Sequence, residues 1–128
     1  MAVSGAVMSN DDWKPTKTTT PAEVAARVCN SLNMDKNISM LVQKLCERVR
    51  ETGVLDGRSP LSAGSACVFF MSYLMGQGKT AKEIQGTNQV SDGTIRTSYK
   101  LLWEKRNELV DPEWLERGGD LKNLPQGG

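Results

Sequence analysis

The residues best suited to chemistry in this sequence lie on one face of a helix predicted to begin at Ser91. Apolar residues recur there at Ile95, Tyr99 and Leu102, which is the spacing of a buried helical stripe. The opposite face then points to solvent, and its small, hydroxyl and basic side chains suit the major groove of DNA. These outward residues are Gly93, Arg96, Thr97 and Lys100.

Histidine is absent from the sequence, which removes the commonest general base and the commonest metal ligand. The three cysteines, Cys29, Cys46 and Cys67, form no C-x-x-C pair and have apolar neighbours. A thiol in such surroundings usually packs as a small buried hydrophobic group. We therefore expect core packing for these cysteines, with neither a zinc site nor a set of disulfides.

Two other patterns could indicate an enzyme, but each lacks the required context. Gly76–Thr80 reads GQGKT, like half of a phosphate-binding loop, but it follows a predicted helix and has no upstream glycine. Glu113 and Glu116 are paired carboxylates in a stretch that we expect to be unstructured, and no nucleophile has a base beside it. We predict no catalytic residue, no metal and no cofactor.

The elements that must position the outward residues are two helices separated by a tight turn. A Thr-x-x-Glu capping box at Thr80 opens the first helix, and a serine cap opens the second. Ile84, Val90 and Ile95 supply one apolar residue from each helix and one from the turn, so that together they fix the crossing angle. This spacing predicts a helix-turn-helix over residues 80–107.

Three further helices precede this unit in the sequence. Capping residues and apolar periodicity predict them over Pro21–Leu32, from Asp35 to Gly53, and from Ser59 to Met75. The third is almost uncharged and should be central. No stretch alternates as a strand would, so we predict an all-α fold of five helices.

A chain of 128 residues suits one small domain, which we assign to residues 20–110. Residues 1–19 are small and polar, and we expect a disordered leader there. Residues 111–128 form a C-terminal tail with a few apolar residues that could pack back on the core. No apolar run is long enough to span a membrane and no secretion signal is evident, so we expect an intracellular monomer without a membrane partner. The tail's apolar residues are Trp114, Leu121 and Leu124.

The net charge of +1 conceals an uneven distribution along the chain. Residues 79–107 carry six basic and three acidic side chains, whereas residues 108–128 carry two basic and five acidic ones. Lys79 and Lys82 add positive charge at the start of the helix-turn-helix. Such a modest excess predicts weak contact with DNA phosphates that depends on a partner.

Three stretches of the sequence follow a known pattern: GRSPLSAGSACVFFMSYL, TAKEIQGTNQVSDGTIRTSYKLL and DLKNLP. The most specific parts are Gly57-Arg58-Ser59-Pro60, Thr94-Ile95-Arg96 and Ser98-Tyr99. Over Thr20–Pro125 the chain resembles the second cyclin-like repeat of the general transcription initiation factor IIB family. That family also has a zinc ribbon and a first repeat, so we interpret this chain as a C-terminal fragment of a longer factor.

The resemblance implies a cyclin-like repeat that works in the nucleus as part of the pre-initiation complex. Its expected partners are promoter DNA upstream of the TATA box, TATA-binding protein, the RNA polymerase II machinery and transcriptional activators. Arg96 matches the family's base-reading arginine, which would reach O6 and N7 of a guanine. Thr94 belongs to the same motif, and Thr97 and Lys100 are predicted to contact phosphates.

Three residues depart from the family pattern. Gly93 stands where members that read the upstream element carry an apolar residue. Gln85 replaces a small residue, and we expect its bulk to disturb the helix crossing. Gln89 replaces the turn glycine and would take a strained conformation. We therefore predict phosphate-dominated contact in which Arg96 retains some preference for guanine.

A protein-only adaptor with the same helices is the alternative. In that case the grooves of the repeat would bind activators or polymerase-associated factors without direct contact to DNA. The outer face of the last helix separates the two hypotheses, because only the first requires Arg96 and Lys100.

Overall fold

A computed structural model describes residues 20–88 and 90–125. Every element within these residues is helical, as the sequence predicts, although two short α-helices and a 3-10 turn follow the five predicted helices. The predicted leader, residues 1–19, and Gln89 lie outside the described residues. The helices are α1 (Pro21–Ser31), α2 (Lys36–Thr52), α3 (Pro60–Leu74), α4 (Ala81–Asn88), α5 (Asp92–Glu104), α6 (Arg106–Leu109) and α7 (Pro112–Glu116), followed by a 3-10 turn at Leu121–Asn123.

The first five helices begin where local capping chemistry predicts. Thr20 and Thr80 each accept a hydrogen bond from the backbone N–H three residues later, and the glutamate at that position accepts one from the threonine N–H. These reciprocal bonds satisfy backbone groups that have no partner within the helix. Asp35, Ser59 and Ser91 cap α2, α3 and α5 without the reciprocal bond, because each side chain accepts from a backbone N–H two or three residues later.

Helix α3 forms the centre of the fold and packs against α1, α2 and α5. Twelve of its 15 residues are buried, on every side of the helix. Its glycine at position 64 permits the contact with α1, because a Cβ there would lie 2.6 Å from the carbonyl oxygen of Pro21 and 2.8 Å from Cβ of Val24. The predicted central position of this helix is confirmed.

Helix α5 ends at Glu104, three residues before the predicted end near Asn107. The chain turns at Lys105, and Arg106 folds back so that its Nη1 donates a 2.7 Å hydrogen bond to the carbonyl oxygen of Trp103. Helix α6 then begins at Arg106. Sequence reasoning missed this break, because the apolar pattern predicted one continuous helix to about Asn107.

Residues 111–125, which we name the C-terminal segment, pack against the core. Trp114 and Leu124 are buried and Leu121 is partly buried, so the predicted return of these side chains is confirmed. The expectation that Glu113 and Glu116 lie in an unstructured stretch is wrong. They belong to α7, because the Asp111 carboxylate accepts a hydrogen bond from the N–H of Glu113 and opens the helix.

The buried core includes all three cysteines, which are free thiols. Burial raises the pKa of the Cys29 thiol. A hydrogen bond with the Cys46 side chain, together with burial, raises the pKa of Cys67. A raised thiol pKa opposes formation of the reactive thiolate, in agreement with the predicted packing role. Within residues 20–88 and 90–125, no helix is both long and apolar enough to cross a bilayer.

Candidate nucleic-acid interface

Helices α4 and α5 pack against each other as the predicted helix-turn-helix. The three apolar residues expected to fix their crossing are all buried: Ile84 and Ile95 are 0% exposed and Val90 is 8% exposed. Tyr99 and Leu102 continue the buried stripe of α5. The inner face of α5 therefore packs in the core, and its outer face is exposed to solvent.

The outer face carries the predicted contact residues Gly93, Arg96, Thr97 and Lys100, and all four are exposed. Thr97 is less available than its position suggests, because its hydroxyl donates a 2.8 Å hydrogen bond to the carbonyl oxygen of Gly93. The guanidinium of Arg96 and the ammonium of Lys100 lie one helical turn apart on this surface. They are the two cations that α5 offers to a ligand.

Thr94 has a structural role at the start of α5. Its N–H donates to Ser91 Oγ at 3.2 Å, and Ser91 Oγ donates in turn to Thr94 Oγ1 at 2.8 Å. The side chain is half-buried. Thr94 thus belongs to the cap of α5, beside the outward residues.

Lys79 and Lys82 flank the start of α4. The backbone N–H of Lys79 donates to Ser72 Oγ at 3.0 Å, which ties the loop before α4 to the end of α3. Lys82 is exposed and lines an open concavity of about 530 Å³ together with Gln85, Gly86 and Asp92. Lys82 thus lies near the first residue of α5, whereas Lys79 belongs to the loop before α4.

Most of the basic residues at positions 79–107 have no described acidic partner. Among residues 20–88 and 90–125 the ion pairs join Arg48 to Asp111, Lys105 to Glu108, and Arg117 to Glu113. Pairing with a carboxylate would reduce the attraction of a cation for phosphate. Of the six basic residues described at positions 79–107, only Lys105 belongs to one of these pairs. The other five are Lys79, Lys82, Arg96, Lys100 and Arg106.

Gln85 does not obstruct the helix crossing, so that expectation is wrong. Its side chain is exposed, and Oε1 accepts a 3.2 Å hydrogen bond from the N–H of Asp92, the first residue of α5. This N–H has no acceptor within its own helix. Sequence reasoning missed the contact because the two residues are seven positions apart on different helices, which matches no local capping pattern.

Trp103 packs at the end of the core and is half-buried. The guanidinium carbon of Arg106 lies 4.0 Å from the centre of its ring, a cation–π arrangement. The tryptophan is covered on one face by this contact.

A groove of about 430 Å³ lies away from the helix-turn-helix, between the start of α1 and the end of α2. Its apolar lining includes Val49 and Leu55, and Arg50 and Arg58 are among its charged residues. Glu47 and Asp56 also line it, so its charges balance. No group of three histidine, cysteine, aspartate or glutamate residues that could hold a metal occurs in the described part of the chain.

The fold and this surface define a class: an all-helical repeat that carries a helix-turn-helix, whose outer face bears basic residues with no acidic partner in the described part of the chain. The family model "Transcription factor TFIIB repeat" matches residues 14–105. The chain belongs to the transcription factor TFIIB repeat family.

Relatives named "Transcription initiation factor IIB" support this assignment. The relative from Schizosaccharomyces pombe is 36% identical over 108 residues, which is 84% of this chain and 32% of that protein. The relative from Saccharomyces cerevisiae is 30% identical over 77% of this chain and 29% of its own length, and the human one is 30% identical over 84% and 34%. The chain thus spans about a third of these relatives.

Proposed function

We propose that this chain is the second, C-terminal cyclin-like repeat of a general transcription initiation factor IIB, and that it binds promoter DNA upstream of the TATA box. The observation that carries the proposal is the exposed face of α5, where Arg96 and Lys100 have no described acidic partner. The motif Thr94-Ile95-Arg96 with Ser98-Tyr99, which resembles the second repeat, supports the choice of repeat.

The contact is mainly electrostatic. Lys79, Lys82 and Lys100 approach phosphates, while Arg96 reaches a guanine edge in the major groove. Gly93 adds no side chain to this readout, so discrimination between flanking sequences is narrow. Because only a few cations neutralise phosphates, the affinity of the isolated chain is low, and it falls further as the salt concentration rises.

A partner supplies the remaining affinity. By its resemblance to the family, the chain acts in the nucleus with TATA-binding protein, and the two together help to assemble RNA polymerase II at the promoter. Transcriptional activators are further partners. This role requires no catalysis.

The test is an amide chemical-shift titration with a TATA duplex that carries a GC-rich or a scrambled upstream flank. It is run with and without TATA-binding protein, at two salt concentrations. We expect shifts confined to residues 79–100 that disappear at high salt. Dependence on the flank would identify guanine readout by Arg96.

Variants separate the roles of the two cations. Arg96→Ala should cost about 1–3 kcal/mol of binding free energy and relax the flank preference, whereas Lys100→Ala should weaken all duplexes alike and lower the salt slope by about one. The exposed residues Arg27 and Lys44 provide matched controls, since Arg27→Ala and Lys44→Ala remove the same groups elsewhere. If the folded chain gave no shifts under any condition, the DNA-binding proposal would be wrong.

The groove beside α1 favours a second candidate, a protein-only adaptor. A partner segment would occupy its apolar lining near Arg50 and Arg58. In that case Arg58→Glu would abolish partner binding while Arg96→Ala changed nothing. Activator peptides titrated into the same labelled sample distinguish the candidates, because shifts would appear at Val49 and Leu55 and not on α5.

A further inference from the structure

The C-terminal segment contacts the helix-turn-helix at a point that its proposed function does not use. The Tyr99 hydroxyl, on the inner face of α5, donates a hydrogen bond of 2.5 Å to the carbonyl oxygen of Pro125. Near the opposite end of the segment, Arg48 pairs with Asp111 at 2.8 Å and lies over the Trp114 ring. The segment is therefore tied to α2 at its start and to α5 at its end.

The segment also caps α3 between these two ties. The carbonyl oxygen of Leu74, the last residue of α3, accepts hydrogen bonds from the N–H of Asp120 at 2.9 Å and from Nδ2 of Asn123 at 3.2 Å. The approach is close, since a Cβ on Gly119 would lie 3.1 Å from Met75 Sδ and 3.4 Å from Leu74 Cγ. Because α3 leads directly into the loop before α4, one segment contacts the supports of both helices of the motif.

We infer that the C-terminal segment sets the position of α5 for DNA contact, and that Tyr99 is the positioning residue. This inference rests on the proposed DNA binding. Tyr99 lies three residues after Arg96 and one before Lys100, so a displacement of its side chain moves both cations relative to a phosphate or a base.

The surroundings of Tyr99 fix its ring and leave the hydroxyl as the adjustable contact. The ring centre lies 4.8 Å from that of Phe69 and 6.1 Å from that of Phe70, both on α3. Burial raises the pKa of the Tyr99 hydroxyl, which therefore remains a donor at neutral pH. Pro125 is the described acceptor.

Thermodynamic reciprocity distinguishes positioning from simple support. If a docked segment favours the DNA-binding position of α5, then bound DNA must stabilise the docked segment by the same factor. A segment that only stabilised the fold would not respond to DNA bound on the outer face of α5. Hydrogen exchange measures this response, because the N–H of Asp120 is protected by its bond to Leu74.

The decisive pair of variants is Tyr99→Phe and Tyr73→Phe in the full chain. Both tyrosines pack on Phe69. Of the two hydroxyls, only that of Tyr99 has a hydrogen-bond partner among the described residues. Binding is measured on the TATA duplex with TATA-binding protein, and exchange at Asp120 is followed with and without the duplex. A second pair, Asn123→Ala and the exposed Asn107→Ala, tests the segment without altering α5.

We expect Tyr99→Phe to weaken DNA binding about five-fold, the lower end of measured couplings between sites, with an unchanged salt slope because every cation remains. Tyr73→Phe should bind as the unmodified chain does. In the unmodified chain the duplex should slow exchange at Asp120 about five-fold by the same reciprocity, and this slowing should vanish in Tyr99→Phe. Asn123→Ala should weaken binding relative to Asn107→Ala.

The two proposals fail in different ways. If Arg96→Ala weakens binding while Tyr99→Phe and Asn123→Ala bind normally, or if the duplex leaves exchange at Asp120 unchanged, the inference is overturned and the DNA-binding function stands. If the unmodified chain does not bind the duplex, both proposals are wrong.

Discussion

Helices α3 and α5 are neighbours in the fold, but they satisfy different requirements. Twelve of the 15 residues of α3 are buried, compared with four of the 13 residues of α5. Packing therefore determines almost the whole sequence of α3, whereas it determines only one stripe of α5. Core packing does not constrain the residues on the outer face of α5. Their types therefore indicate what this surface binds.

The comparison is tested most severely by removing one large side chain from each helix. Phe70 in α3 is 0% exposed, and Phe70→Ala should lower the free energy of unfolding by about 3–5 kcal/mol through loss of burial and a residual cavity. Arg96→Ala, on the outer face of α5, should change it by no more than about 0.5 kcal/mol. Urea denaturation followed by circular dichroism measures both. A loss of similar size in the two variants would contradict the division of roles.

Raising the pH should have a smaller effect on the free energy of unfolding. This effect arises because both helices have inward-facing groups with raised pKa values. Cys67 in α3 and Tyr99 in α5 are of this kind, as is Cys29 in α1. An unfolded thiol loses its proton near pH 8.5, at about its ordinary pKa, while the folded one keeps it. Above that pH the unfolded state binds fewer protons, so stability is full at neutral pH and falls as the pH rises.

The urea midpoint at pH 7.5 and at pH 10 measures this loss. Cys67→Ala removes one of these groups, so the urea midpoint of this variant should depend less on pH. A midpoint that stayed constant over this interval would show that the thiols titrate alike in the folded and unfolded states.

The smallest expected effect is at Gly93, in the first turn of α5. A Cβ built there meets nothing within 4 Å, so Gly93→Ala should stabilise the chain by up to about 1 kcal/mol through helix propensity. If the contact is phosphate-dominated, as proposed, DNA affinity should not change. A gain in stability with a loss of affinity would instead mean that DNA approaches the bare backbone of α5. Thermal denaturation and the duplex titration together decide between these results.

Sequence patterns predicted the features that depend on residues close together in the chain. All five predicted caps are present, from Thr20 to Ser91, because a cap requires only a side chain and a backbone N–H two or three residues later. The buried stripe of α5 followed from helical periodicity. The outward position of Arg96 and Lys100 followed from the same periodicity, although their contact with DNA remains a prediction.

The features that sequence reasoning missed depend on tertiary contacts. Gln85 was expected to be a steric obstacle, because its acceptor role at Asp92 appears only once α4 and α5 are packed together. The bond from Tyr99 to Pro125 joins residues 26 positions apart, and no local spacing encodes such a pair. The apolar pattern past Glu104 likewise gave no sign that the chain turns at Lys105.

The tie between Arg48 and Asp111 spans 63 positions, and that between Leu74 and Asn123 spans 49. Closing such long loops costs chain entropy that contacts within one helix do not. On the ribosome, where a chain emerges from its N-terminal end, α1 to α5 can assemble before Asp120, Asn123 and Pro125 have been synthesised. The last bond to Tyr99 thus becomes available only when residue 125 has been added, and until then the nascent helix-turn-helix lacks its final anchor.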